Sequence, residues 1–263
     1  MITVGMITEY LNDRFPPQRK ESWDRVGLNC GHLGAPVTKV LVALDPFADV
    51  CRDAKLWGAE MIVTHHTLLW DTGFVTDETE QGRNTLFLIE NGIACYNAHT
   101  NLDLAPDGVS DALARVLDLS RIQIIAPRGT DEAGRPWGLL RSGFVPEQPL
   151  YDFLSHVKAR LGCPGLRYVS GGKPARKIAV GGGACADEME IAVKAGCDTL
   201  VTGDVKYNDF WDAKALGLSL IDAGHFYTEN PVCTVLADTL KCQFPALEVR
   251  ISERHRDCAM FFE

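Results

Sequence analysis

Short apolar runs alternate with amphipathic stretches along the whole chain. "KVLVALDP" (39–46) reads as a buried strand, and the stretch from Phe47 to Trp57 that follows has helical spacing. "EMIVTHH" is the next strand and "NTLFLIENG" a helix closing at Gly92. "IACYNAHTNLD" (93–103) is a strand running into a loop, with "GVSDALARVLDL" helical after it. The second half has the same order: "KIAVGGGA", "DEMEIAVKAG", "DTLVTGD", "NDFWDAKALG", "LSLIDAGH", then a helix from about Glu229 to Leu240. This alternation predicts an α/β fold with helices packed on sheets.

The two halves also align with each other. Residues 39–66 lie over 177–204 without a gap, matching Lys39 with Lys177, Val42 with Val180, Ala54 with Ala192, Gly58 with Gly196 and Thr64 with Thr202. "GAEMIVTHH" sits over "GCDTLVTGD", which puts His66 opposite Asp204. The next strand pairs Gly92 with Gly217, and one residue of slip brings His99-x-x-x-Asp103 over His225-x-x-x-Glu229. A match with candidate ligands at both ends predicts a duplicated two-lobe α/β fold with mixed sheets, intertwining lobes and a metal cleft between them. The first lobe, 1–130, carries His65, His66 and Asp103; the second, 131–263, carries His225 and Glu229. Between the repeats, "APRGTDEAGRP" reads as a loop, followed by strand "GLLRSGFV" and helix "LYDFLSHVKARL".

Charge narrows the partners. A net charge of −9 argues against nonspecific grip on nucleic acid or an anionic membrane. It does not exclude a small anionic substrate, because a local metal centre overrides the global sign. The nine cysteines form no C-x-x-C pair, and several sit in apolar runs where Cys acts as a small hydrophobe. With no signal peptide at the N-terminus, that usage suits a reducing cytoplasm. No apolar stretch approaches the ~20 residues of a membrane span.

The seven histidines divide sharply. His32, His156 and His255 read as solvated or locally hydrogen-bonded rings. His65, His66, His99 and His225 each stand where an apolar strand ends, the place where open α/β sheets bind ligands. Neighbours in an extended strand point to opposite faces, so adjacent His65 and His66 are hard to explain as packing; at a strand end both can reach one cleft. Asp103 and Glu229 follow two of these histidines by four residues, a spacing that can bring imidazole and carboxylate together. The donors are too many for one tetrahedral zinc with an open position. They suit two divalent ions, zinc, iron or manganese. "GGGACAD" lacks the spacing of a phosphate loop, and its glycines read as close packing.

"VTHHTLLW", "NAHTNLD", "TGDVKYND" and "DAGHFYTE", in this order, resemble the NIF-three-like (YbgI-type) dinuclear metal-centre family, from "ESWDRVGLNCG" to the terminal "MFFE". The resemblance implies one family domain over the whole chain, a duplicated α/β fold, and a homo-oligomer, commonly a hexameric ring. It implies metal ligands at His65, His66, Asp103, His225 and Glu229, with Glu229 bridging, and makes His99 a neighbour of the site that orients rings or relays protons. It also implies a metal-dependent hydrolase of GTP cyclohydrolase 1 type 2-like kind, acting on a small phosphorylated or nucleotide-like molecule. A non-catalytic metal-binding chaperone or regulatory scaffold is the rival reading. Arg25 stands where the family commonly has Asn, Thr67 where Pro is frequent and Asn208 where His is frequent, and none of these removes a ligand.

Overall fold

The computed structural model describes residues 1–70, 73–125 and 127–262. The chain opens with helix α1 (Val4–Arg14), strands β1 (Gly27–Cys30) and β2 (Lys39–Ala43), helix α2 (Ala48–Trp57), strand β3 (Met61–Thr64), helix α3 (Glu80–Glu90) and strand β4 (Ala94–Asn97). A single turn, α4 (Thr100–Asp103), leads into α5 (Val109–Val116) and strand β5 (Ser120–Ile125). The short strands β6 (Gly129–Thr130) and β7 (Pro136–Trp137) precede β8 (Leu140–Gln148), α6 (Leu150–Leu161), β9 (Arg167–Val169) and β10 (Ala175–Val180). Then come α7 (Met189–Lys194), β11 (Thr199–Thr202), α8 (Tyr207–Ala215), β12 (Ser219–Asp222), α9 (His225–Glu229), α10 (Val232–Gln243) and β13 (Glu248–Ile251).

These elements form two units. The first comprises Met1–Leu102 and Val232–Arg256, the second Asp103–Pro231 and Asp257–Glu263. The sheet of the first unit has the order β1-β4-β3-β2-β13, parallel throughout except for β1, which runs antiparallel to β4. Its last strand comes from the end of the chain, so the lobes are intertwined in sequence. Leu41, Ala43, Ile62 and Cys95 of its strands pack with Val50, Cys51 and Ala54 of α2 and Leu88 of α3.

The second unit has a six-stranded mixed sheet of order β5-β8-β10-β11-β12-β9, in which β10, β11 and β12 are parallel. Strand alternation puts Ile178, Val180, Val201 and Ile221 on one face against Leu113 and Leu117 on and after α5 and Phe153 and Val157 of α6. Ala179, Leu200 and Leu220 pack on the other face with Met189, Ala192 and Ala213 of α7 and α8. Both faces are covered, which is why these strands read as continuous apolar runs.

The repeat extends to register. Val40 pairs with Met61 and Ile178 with Thr199, each position 138 residues after its counterpart. Met61 pairs with Ala94 and Thr199 with Ser219, keeping the second offset. Gly58 and Gly196 both end their segments at φ +76°, a left-handed conformation that glycine adopts without steric cost.

Two local expectations are corrected. The segment after β4 is not simply a loop: Leu102 N donates to His99 O at 2.7 Å and the chain makes the turn α4. The helix expected from about Glu229 to Leu240 is two helices, α9 and α10. Pro231 lies between them and has no N–H to give, so the hydrogen-bond ladder of α9 cannot continue through it. Glu229 therefore ends a short helix instead of starting a long one. Cys51, Cys95, Cys163, Cys185, Cys197 and Cys233 are buried, as small hydrophobes should be. Among the described residues, no helix is long and apolar enough to cross a membrane.

Candidate metal centre

Strand β3 ends at Thr64, and the chain bends before its side chains can alternate again. Thr64 Oγ1 donates to His66 O at 2.7 Å, and His66 N donates to Leu44 O at 2.9 Å. The bend sets the rings of His65 and His66 side by side, 4.8 Å between centroids. From the end of β4, His99 brings a third ring to 5.1 Å from His65 and 5.3 Å from His66. One ligand nitrogen from each of the three lies within 4.8 Å of the others. His65 is fully buried and His99 nearly so.

Each of these imidazoles is held from behind. His65 Nδ1 donates to Ala98 O at 2.9 Å, His66 Nδ1 to Asp45 Oδ1 at 2.6 Å and His99 Nδ1 to Asp24 Oδ1 at 2.8 Å. A carbonyl or carboxylate acceptor fixes the Nδ1–H tautomer and turns the Nε2 lone pair to the opposite side of the ring, where it could hold a metal. Asp24 is itself buried and also accepts from Thr100 N at 3.0 Å and from the Thr100 hydroxyl. Burial alone would raise its pKa. The bonds from His99 and Thr100 outweigh that and hold its carboxyl well below the usual carboxylate range.

In the second unit, the five-residue helix α9 carries His225 and Glu229 on one face, with Nε2 and Oε2 3.0 Å apart. This is the contact expected of an i, i+4 pair. His225 Nδ1 donates to Asp204 Oδ2 at 2.7 Å, again from behind the ring. Asp204 adopts φ +50°, an uncommon conformation for a residue other than glycine, at the end of β11. A carboxylate oxygen of Asp103 lies within 4.8 Å of one of Glu229, which is buried. Two carboxylates this close repel each other, and a divalent cation is the partner that suits them. Beside them the thiol of Cys185 is pushed upward by burial first, then by the charges of Asp103 and Glu229. The groups able to hold a metal are built from His, Asp and Glu side chains, so nitrogen and oxygen make up the donor set. That set fits zinc, iron or manganese.

The first unit thus brings together His65, His66 and His99, and the second sets Glu229 beside His225 and beside Asp103. His32 is exposed, His156 contacts Leu117 O at 3.2 Å, and His255 Nδ1 donates to Ser252 O at 2.7 Å; none of these joins either cluster. Sequence reading missed Asp24 and Asp45. Asp45 follows strand β2, and the strand-end argument applied to the histidines would have found it. Asp24 lies 75 residues from the ring it holds and follows no strand, so no local signal marks it.

Residues 2–258 match the family described as Duf34/NIF3 (NGG1p interacting factor 3). The chain is 34% identical over 254 residues to a GTP cyclohydrolase 1 type 2 homolog of Clostridium perfringens, covering 95% of this chain and 96% of that one. A protein of the same name from Streptomyces coelicolor is 36% identical over 251 residues, covering 93% and 85% respectively. Among solved structures, the hypothetical protein SA1388 of Staphylococcus aureus superposes with a TM-score of 0.92 at 28% identity, covering 99% of both chains.

Proposed function

The chain belongs to the Duf34/NIF3 family, and on that premise we propose that it binds two divalent metal ions and hydrolyses a small phosphorylated or nucleotide-like molecule. His65, His66, Asp103, His225 and Glu229 would hold the ions, with Glu229 bridging. The observation that carries this is the tethering of the imidazoles through Nδ1. Asp45, Asp204 and the carbonyl of Ala98 spend their bonding capacity on orienting His66, His225 and His65. Such orienting partners are what metal-ligating histidines have.

Two divalent ions, when bound, supply a water of lowered pKa and a clamp for an anionic or carbonyl-bearing substrate. The chain's own residues do the positioning. Asp24 holds His99 beside His65 and His66, where its ring orients and packs. Glu229 lies 3.0 Å from His225 and close to Asp103, which supports a role for it as a shared ligand. The names of the relatives support hydrolysis of a nucleotide. Family resemblance also supports a homohexamer, and the cysteine usage a cytoplasmic setting.

The test is a screen of phosphoesters, nucleotides and cyclic amides with metal-loaded protein, using Glu229→Gln as control. Turnover that needs metal and disappears in Glu229→Gln supports the hydrolase. Tight binding of metal with no turnover in any class favours the non-catalytic scaffold. Elemental analysis of the loaded protein should approach two equivalents per chain.

A further inference from the structure

Two tryptophans stand beside the histidine cluster of the first unit with their indoles largely in water. Trp23 is 63% exposed and Trp70 53%. Both meet the same imidazole edge-on: the ring of Trp23 lies 5.9 Å from that of His99 at 72°, and that of Trp70 lies 5.2 Å from it at 88°. Trp70 is also 6.5 Å from the ring of His66. A single exposed tryptophan needs no explanation. Two converging on one ring of a ligand cluster do, because each leaves in water an apolar surface that an aromatic residue ordinarily buries.

The backbone carrying them is tied down. Glu21 N donates to Thr100 Oγ1 at 2.9 Å, Asp24 N donates to Glu21 O at 3.0 Å, and Asp24 is bonded to His99 and Thr100, so Trp23 sits in a pinned turn. Leu68 N donates to Asn29 Oδ1 at 2.8 Å and Trp70 N to Gln81 Oε1 at 3.1 Å, which fixes the segment on the other side. The backbone that carries the indoles is held and the indoles are uncovered, so the surface needs little ordering to bind.

We infer that Trp23 and Trp70 receive a planar heteroaromatic ring of the substrate, of the nucleobase class, next to the histidine cluster. This rests on the reading of that cluster as the substrate site. Aromatic faces suit such a ring because every base has a π-face, and stacking on them needs no hydrogen-bond code. The imidazole side of the cluster would then face the anionic end of the same molecule.

The experiment is calorimetric titration of the metal-loaded full chain with AMP and with ribose 5-phosphate, which share the phosphate and differ by the base. AMP should bind about tenfold more tightly, the margin a stacked base supplies. Trp23→Ala and Trp70→Ala should each erase most of that margin while leaving ribose 5-phosphate affinity within about twofold, and Trp→Phe at either position should keep it. Equal affinities for the two probes, no binding of AMP at millimolar concentration, or a margin that survives both alanine variants would overturn the inference. Metal content, measured on the same preparations, reads the dinuclear proposal separately. Two ions without a base margin sinks only the stacking surface, and a Trp-dependent margin without metal sinks only the metal centre.

Discussion

A Cβ on Gly183 would lie 2.2 Å from Oε1 of Glu229, inside any allowed contact. One residue earlier, a Cβ on Gly182 would meet Val109 Cγ1 at 2.3 Å. The Gly183 amide donates to Thr228 Oγ1 at 3.1 Å, tying the glycine run to the helix that carries the acid. The run in "GGGACAD" is therefore a surface shaped to let Glu229 approach the backbone, the close packing its sequence suggests.

Gly183→Ala should accordingly displace Glu229 with every proposed ligand residue still in the chain. Gly183 also sits at φ +66°, where a Cβ adds about 1–2 kcal/mol of strain. Urea unfolding should show a loss of that order or more, and retention of zinc after desalting should fall with it. A variant as stable as the parent with full metal content would show that the close approach is not needed.

The repeat supplies a matched pair of tests. Glu60 Oε2 accepts from Thr38 N at 3.0 Å and Lys39 N at 2.8 Å, at the start of β2. Its counterpart Asp198 accepts from Arg176 N at 3.1 Å and Lys177 N at 2.7 Å, at the equivalent point of β10. Even the lysines behave alike, Lys39 Nζ donating to Trp57 O and Lys177 Nζ to Ala195 O. Glu60→Ala and Asp198→Ala should each cost about 1–3 kcal/mol, since two backbone donors lose a charged acceptor. The pairs share no partner, so the double variant should be near the sum. Urea midpoints at unchanged slope would measure it.

What could be read from the sequence was what the chain encodes locally. His65, His66, His99 and His225 announced themselves by standing at strand ends, and Asp103 and Glu229 by following two of them at four residues. The repeat announced that the α/β pattern around β2 and β3 returns around β10 and β11. Asp24 could not be read, because its role exists only once a turn from the first thirty residues folds against His99. Nor could the pairing of β13 with β2, in which "EVRI", a short edge strand with little apolar signal, closes a sheet begun some two hundred residues earlier. Pro231 was a visible breaker, and it outweighed the helical spacing that ran across it.

Asp24 makes the stability of the first unit depend on pH. Its carboxyl is held below the ordinary value by the bonds from His99 and Thr100, which overcome the burial that would raise it. A depressed carboxylate contributes fully above its unfolded value, near 3.9, and the contribution is lost as pH falls through the folded value. The stability difference between the parent and Asp24→Asn should therefore be constant from pH 7 to about pH 5 and shrink below about pH 4. Urea titrations of metal-free protein at pH 7, 5 and 3.5 check the sign. A difference that grows on acidification would contradict it.

Metal retention separates a bridging ligand from a terminal one. If Glu229 spans both ions, Glu229→Ala removes a donor from each and leaves their mutual repulsion less screened. Asp103→Ala removes a donor from one ion only. His99 is held by Asp24 and packs on His65 and His66; as an orienting neighbour its loss should cost only ~10–100-fold in affinity. At saturating zinc or manganese followed by desalting, His99→Ala should retain most metal, Asp103→Ala less, and Glu229→Ala least. Equal loss in all three would make His99 a direct ligand. The internal repeat, which sets His99 opposite His225, would then be the better guide to the site than the family resemblance.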